Sequence, residues 1–380
     1  MDHHALAAEV QRFDSSLPIE RALTPPSSWY QGQDFFELDR SDVFAKQWVV
    51  AGRLDDLQEP GSFVTGDTMG WPWFVVRDTD GELRGFHNAC RHHATVLLKG
   101  VGQCERIVCP YHGWSYGLDG ALATAPHMAG VADFDRGSMG LAPLGLRTWR
   151  RWVFLRVDGP PGAGVAPVAE DQAFTAELAR IDTELQRLGA DELVFHGQRS
   201  YQVQCNWKVF VDNYLDGGYH VPQLHKQLSS RLDLDGYATE LLTRSVLQTC
   251  PAKTGSGRLG PGALYAWLHP NLCINRYGDV MDVNIIRPLG PELTEVIFED
   301  YRHPQMTVAA MTLHLDESER VQQEDMDISR SVQIGLGSPG YDRGRYSPGL
   351  EGGEHLFHQM LRAAYDAGLA EAGEAKSTGR

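Results

Sequence analysis

Two groups of side chains in this chain have the types and spacing to bind metal. The first lies in residues 85–120, GFHNACRHHATVLLKGVGQCERIVCPYHGWSYGLDG, which contain Cys90-x-His92 and Cys109-x-x-His112. Each half offers one thiolate and one imidazole from a tight turn. Thiolates hold the irons of iron–sulfur clusters, and two imidazoles in place of two thiolates on one iron raise the potential, to roughly −150 to +300 mV against about −400 mV for an all-thiolate plant-type cluster. Gly100 and Gly102 allow the chain to double back between the halves, and Pro110, Gly113 and Trp114 stiffen and cover the second. A two-plus-two set of Cys and His also suits structural zinc, although Cys-x-His is tighter than common zinc spacings and no finger helix follows. His87, His93 and Cys104 lie nearby and read as packed or solvent-facing side chains.

The second group begins in residues 206–225, NWKVFVDNYLDGGYHVPQLH. On a helical wheel Asn213, Asp216 and His220 share a face with Val209, and polar groups on an inward face are costly unless paired or metal-bound. His225 rejoins that face only if the helix ends, and Pro222 stands between the two histidines to end it. A third ligand is sought in VQQEDMDISRSVQIGL, residues 321–336. There Asp325 falls within a stripe formed by Val321, Ile328, Val332 and Leu336, while Glu324 lies at its edge and Asp327 faces away. Two His and one carboxylate with open positions form the facial triad of non-haem Fe(II) oxygenases. The alternative for Asp325 is a buried ion pair with Arg276 or Arg287.

These groups need two kinds of scaffold. From Trp48 to Arg156, short runs such as WVVAG, WFVVRD, RIVCPY and WVFLRV alternate with Gly, Asp and Pro turns, a β texture. Beyond it, residues 170–190 read as a helix, 193–205 as a strand and 206–220 as a helix. Strand-like runs then fill 263–302, and helices cover about 315–336 and 354–372. The expected fold class is α+β: a small all-β domain and a larger α+β domain whose antiparallel sheet is flanked by helices. The expected boundaries are an N-terminal segment 1–46 packing on the larger domain, the β domain at 47–157, a Pro/Gly-rich linker at 158–168, the larger domain at 169–370, and a flexible tail at 371–380.

Composition narrows the function. With 50 Asp plus Glu against 34 Lys plus Arg, the net charge is −16, a poor match to phosphate backbones, so no nucleic-acid partner is expected. No stretch approaches the 18 or more apolar residues of a membrane span, and no secretory signal opens the chain. Six cysteines in such a chain point to a reducing compartment and to metal binding rather than a disulfide framework.

Cys-x-His with Cys-x-x-His, followed by Asn-Trp-Lys and His-x4-His, resembles the large (alpha) subunit of Rieske non-haem iron oxygenases. The segments TPPSSWY, CNWKVFVDNYLDGGYHVP, HPNLCINRYGDVMDVNIIRPLGP and SPGYDRGRY look like the choline monooxygenase branch, and the likeness spans residues 24–347. It implies that Cys90, His92, Cys109 and His112 ligate a [2Fe–2S] cluster in the β domain, and that His220, His225 and Asp325 bind mononuclear Fe(II) in a catalytic domain. It also implies an acid that carries electrons from a cluster His of one subunit to an iron His of its neighbour, in a homotrimer. Many members place that acid three residues before the first iron His. Gly217 stands there in this chain, so the role falls to Asp216. Asn213 shares the same face as a further catalytic candidate.

The implied function is a cytoplasmic terminal oxygenase, with monooxygenation favoured. It would hydroxylate a small quaternary ammonium compound such as choline, to betaine aldehyde hydrate, with O2 as co-substrate. No nucleotide- or flavin-binding fingerprint is present, so electrons from NAD(P)H must arrive through a separate ferredoxin or flavin reductase. Lys99, Arg106, Arg147, Arg150 and Arg151 are candidates for receiving that acidic partner. Aromatic faces suit a quaternary cation, and Tyr265, Trp267 and Tyr277 fall where they would wall the pocket. Aromatic ring hydroxylation and oxidative N- or O-demethylation are alternatives using the same machinery. A Rieske electron carrier or a zinc-stabilised binding protein is the alternative of another class.

Overall fold

A computed structural model of the chain describes residues 1–157, 168–254, 260 and 262–377. The chain divides into two compact units, residues 44–172 and residues 1–43 with 173–380. The linker expected at 158–168 lies outside the described residues but for Val168, which opens a helix.

The 44–172 unit is built on strands β1 (Val49–Arg53), β2 (Ser62–Thr68), β3 (Trp71–Arg77), β4 (Leu83–His87), β5 (Val101–Gln103), β6 (Ile107–Val108), β7 (Ser115–Tyr116), β8 (Leu122–Thr124), β9 (Pro143–Trp149) and β10 (Trp152–Arg156). Seven of them form one sheet in the order β1-β10-β9-β4-β3-β2-β5, and β6-β7-β8 form a small second sheet. Two loops leave this framework, one after β4 and one between β6 and β7. Each carries half of the Cys/His set. Phe74, Phe86, Ile107, Trp114 and Tyr116 pack into a core that also holds Cys90 and Cys109.

The other unit holds helices α1 (His3–Gln11), α2 (Gly32–Leu38), α3 (Val168–Arg187), α4 (Trp207–Leu215), α5 (Val221–Leu224), α6 (Lys226–Ser229), α7 (Val308–Leu336) and α8 (Gly352–Ser377). Its strands are β11 (Val194–Val203), β12 (Ala238–Leu241), β13 (Ser245–Pro251), β14 (Gly262–Leu268), β15 (Leu272–Tyr277), β16 (Val280–Gly290) and β17 (Leu293–Arg302). They pair antiparallel in the order β11-β17-β16-β15-β14-β13-β12. The hairpin β12–β13 was not anticipated from the sequence, because its short outer strand is largely exposed and carries little apolar alternation. Residues 371–377 continue α8 rather than forming a tail.

Helix α4 is fixed at both ends. The Asn206 side chain caps its start by accepting the Lys208 N–H at 3.0 Å. Lys208 itself is fully buried and paired with Asp39, which also accepts from Trp207 Nε1 at 2.9 Å and from the Tyr365 hydroxyl. A buried charge needs such a partner. The helix stops at Leu215, not at residue 220 as its periodicity suggested, because Gly217 and Gly218 adopt φ of +69° and +76°. These left-handed values favour glycine.

Helix α7 begins at Val308, a full turn and more before the expected start. Its inward face is also not the apolar stripe. Ile328 and Val332 are 37% and 45% exposed, whereas His314, Ser318, Gln322, Ser329 and Gln333 are buried. Polar residues take the inner face because it walls a polar site and meets other elements there: Gln333 accepts the Asn206 N–H at 2.8 Å and donates to the Tyr30 carbonyl at 3.2 Å.

Candidate metal centres and the cavity beside one of them

In the β unit, the Cys90 and Cys109 side chains are 3% exposed and sit side by side. Tyr116 places its hydroxyl 3.2 Å from Cys90 Sγ and accepts the Arg91 N–H at 3.0 Å. Burial opposes ionisation of Cys109, but backbone N–H groups of Tyr111 and His112 outweigh it and hold the thiol below its usual range. The two imidazoles form a second pair. His92 and His112 have ring centroids 4.8 Å apart, and His92 stacks on Trp114 at 4.8 Å with planes 7° apart. His92 Nδ1 is buried without a hydrogen-bond partner. Among the described residues these four do not form a donor set drawn within 4.8 Å, as one tetrahedral zinc would require. Thiols on one side and imidazoles on the other fit a two-iron cluster. His93 lies 4.0 Å from the His92 ring and 5.6 Å from that of His112, and half-buried Cys104 packs on the same core. Of the proposed docking cations, Arg147 lies 4.6 Å over the Trp48 ring.

In the other unit, His220, His225 and Asp325 each offer a donor atom within 4.8 Å of the others. His225 Nε2 is 3.0 Å and His220 Nε2 4.0 Å from Asp325 Oδ1, with the two rings edge-on at 5.0 Å. The outer imidazole nitrogens are both held, and so is the inward carboxylate oxygen. His220 Nδ1 meets Asp216 Oδ2 at 2.6 Å, His225 Nδ1 meets Glu324 Oε2 at 2.7 Å, and Asn213 Nδ2 donates to Asp325 Oδ1 at 3.0 Å. A carboxylate on Nδ1 puts the ring proton there and leaves the Nε2 lone pair facing inward, the arrangement of metal-bound imidazoles. The donor set therefore fits a ferrous ion with open positions.

Asp216 reaches His220 through a turn, not along a helix. Its carboxylate accepts four N–H groups: Gly218 and Tyr219 at 2.9 and 3.2 Å on Oδ1, and His220 N and Nδ1 on Oδ2. The displacement of the acid from position 217 has a steric cause. A Cβ on Gly217 would sit 2.2 Å from the Leu350 carbonyl oxygen. Neither arginine considered for Asp325 pairs with it. Arg287 binds Glu295 at 2.9 Å, and Arg276 donates to backbone carbonyls, Val280 O among them at 3.0 Å. Glu324, at the edge of the expected stripe, is an outer partner of His225. The signal for it was adjacency, since a helix presents i and i+1 to different donors of a ligand cluster. Asp327 meets Gln323 on the exposed side.

A cavity of about 150 Å3 opens beside the triad, a size that holds a benzene-sized molecule. Asn213, Asp216, His220, His225 and Asp325 form one side of it, and the faces of β14–β17 form the other. Tyr265 and Tyr277 line it, joined by Tyr237 and Phe298. Trp267 does not line it. It shares a sheet face with Tyr265 but is fully buried against Phe357 of α8, 5.3 Å away, and His269 at 5.5 Å. His269 is also outside the cavity, and burial pushes its pKa down to about 3.

A β unit carrying paired thiols and imidazoles, and an α+β unit carrying two imidazoles and a carboxylate over a substrate-sized cavity, define an oxygen-activating oxidoreductase with separate redox and catalytic centres. Residues 47–135 match the Rieske [2Fe-2S] domain, and residues 190–367 match the ring hydroxylating alpha subunit catalytic domain. The chain is 41% identical over 363 residues to choline monooxygenase of Arabidopsis thaliana, a chloroplastic protein, covering 93% of this chain and 85% of that one. It is 30% identical over 365 residues to the carnitine monooxygenase oxygenase subunit of Escherichia coli K12, covering 91% and 95%. The structure of a quaternary ammonium Rieske monooxygenase bound to L-carnitine superimposes with a TM-score of 0.78 at 26% identity, covering 91% of this chain and 96% of that one. The chain belongs to the Rieske non-haem iron oxygenases and is an oxidoreductase whose cofactors are a [2Fe–2S] cluster and a mononuclear iron. A zinc-stabilised binding protein or a free-standing electron carrier is thereby set aside. Among the described residues no helix is long and apolar enough to cross a membrane.

Proposed function

We propose that this chain is the terminal oxygenase component of a choline-oxidising system. The reaction takes choline, O2, two electrons and two protons to betaine aldehyde hydrate and water. The observation that carries this reading is the cavity: small, walled by Tyr265, Tyr277, Tyr237 and Phe298, lined by carboxylates, and beside the His220–His225–Asp325 donor set. The 41% identity to a choline monooxygenase supports the same substrate.

In this reading Cys90 and Cys109 hold one iron of the cluster and His92 and His112 the other, while His220, His225 and Asp325 hold ferrous iron. When bound, the cluster supplies electrons singly and the ferrous ion supplies the chemistry that activates O2. The chain's own residues do the rest. Asp216 and Glu324 keep the imidazole protons on Nδ1, Asn213 holds the Asp325 carboxylate in orientation, and the aromatic walls exclude water from the reacting carbon. Asp216 is also the residue through which the cluster of a neighbouring subunit in a homotrimer would reach His220. That neighbour's imidazole would join an acid already fixed by its own backbone. A ferredoxin or flavin reductase drawing on NAD(P)H delivers the electrons. The six free cysteines suit a reducing compartment such as the cytoplasm.

The test is O2 uptake by the iron-loaded protein with a surrogate reductase, across choline, other methylated amines and aromatic compounds. Choline-dependent uptake with aldehyde formation is expected. Formaldehyde release would show N-demethylation, and uptake only with aromatic compounds would refute the quaternary ammonium assignment.

A further inference from the structure

The floor of the cavity contains a carboxylate that the iron site does not use. Asp282 on β16 lies directly opposite Asn275 on β15, which lies opposite Tyr265 on β14. Opposite residues of antiparallel strands project to one face, so the three side chains form a row across the cavity floor. Asp282 is 2% exposed. It accepts from Asn275 Nδ2 at 2.6 Å, Asn284 Nδ2 at 3.0 Å and the Tyr277 hydroxyl at 3.0 Å. Tyr214 donates to Asn275 Oδ1 at 2.8 Å and so turns the Asn275 amide donor towards Asp282.

Every partner of this carboxylate is a neutral donor. Among the described residues no Lys, Arg or His forms an ion pair with Asp282, and none of the cavity-lining residues is Lys or Arg. The near cation, Arg199, is engaged by Asp300 at 3.2 Å and Glu319 at 3.1 Å. Asp300 is itself the cross-strand neighbour of Asp282, so the one nearby arginine is already held by two other acids. A buried carboxylate held in place by donors but lacking a counter-ion is costly in the empty protein, and a cation arriving in the cavity offsets that cost.

We propose that Asp282 is the counter-ion for the substrate's quaternary ammonium group, and that the cavity selects a permanent cation carrying no carboxylate. This rests on the reading of the chain as a quaternary ammonium oxygenase and adds the residue and the discrimination. Tyr277 donates to Asp282, Tyr265 stands beyond Asn275 in the same row, and both line the cavity and present aromatic surfaces to the same cation. A zwitterion such as carnitine or glycine betaine brings a carboxylate that finds no Lys or Arg among the described lining residues, whose carboxylates are Asp216, Asp282 and Asp325. Unpaired like charge excludes a ligand as effectively as good contacts admit one.

The experiment uses the iron-loaded holoenzyme, wild type and Asp282→Asn, with Asp282→Glu as the charge-retaining control. Calorimetry measures binding of choline, tetramethylammonium, carnitine and 3,3-dimethylbutan-1-ol, the neutral carbon analogue of choline, and O2 uptake gives KM and kcat for choline. Wild type should bind both cations and discriminate against carnitine and the neutral alcohol. Asp282→Asn should weaken both cations at least tenfold, raise KM far more than it lowers kcat, and leave the neutral alcohol within twofold. Asp282→Glu should keep the preference for tetramethylammonium over the neutral alcohol. Unchanged cation binding in Asp282→Asn, an equal loss for the neutral alcohol, or wild-type turnover of carnitine matching choline would each overturn the proposal. If wild type oxidises no quaternary ammonium compound, the functional reading fails. The tetramethylammonium arm still decides the role of Asp282, loss of binding in Asp282→Asn supporting it and retention overturning it.

Discussion

The Glu324–His225 contact makes the ligand geometry testable without touching a ligand. Glu324 Oε2 lies 2.7 Å from His225 Nδ1, and its side chain is 34% exposed while that of His225 is 2% exposed. Replacing Glu324 by Gln keeps the length and an acceptor oxygen but removes the charge that anchors the Nδ1 proton. Loss of such an outer partner lowers metal affinity about 10- to 100-fold, or about 1.4 to 2.8 kcal/mol. The partial exposure of Glu324 and the oxygen retained by Gln place this variant at the tenfold end, about 1.4 kcal/mol. Asp216 has a side chain 13% exposed and holds four N–H groups, so Asp216→Asn should cost more. The assay is ferrous ion titration against a competing chelator, with the iron–sulfur absorbance followed in parallel. Iron affinity should fall in the order wild type, Glu324→Gln, Asp216→Asn, while the cluster signal stays constant because its ligands lie in the other compact unit. Wild-type affinity in Glu324→Gln, or a parallel loss of the cluster, would refute the assignment of His225 Nε2 as the inward-facing ligand.

Other substitutions probe the remaining links. His220→Ala should drop iron from about three to about two per chain and retain a rhombic cluster EPR signal; activity surviving in that variant would sink the triad. Cys109→Ala should abolish the cluster absorbance and Cys104→Ala should leave it, since Cys104 is not one of the proposed ligands. Lys208→Met strands the buried Asp39 carboxylate and should lower unfolding stability by about 3–5 kcal/mol, read from denaturant midpoints at constant slope. Gly217→Asp, which puts an acid at the position common in the family, should destabilise rather than improve the protein. Its φ of +69° and the Leu350 carbonyl 2.2 Å from the new Cβ both oppose it, and thermal melting checks this.

Local spacing singled out the proposed ligands before any fold was known. Cys90-x-His92 and Cys109-x-x-His112 are turns whose chemistry lies in a few consecutive residues, and His220 and His225 are separated by a Pro that ends a helix. Asp325 was separable from Glu324 and Asp327 because a helix sends neighbouring residues in different directions. Ile328 and Val332 of the expected α7 stripe nonetheless face outward, since periodicity locates a face but not its partner. What lay beyond the sequence has one physical cause: it depends on groups distant along the chain. Glu324 meets His225 only because α7 crosses the α4–α5 corner. Asp39 neutralises Lys208 from an N-terminal segment. Tyr265 lines the cavity while Trp267, two residues on and on the same face, packs under α8. The counter-ion role proposed for Asp282 depends on strand register, which sets it in a row with Asn275 and Tyr265 and leaves it facing a cavity with no Lys or Arg among the described lining residues.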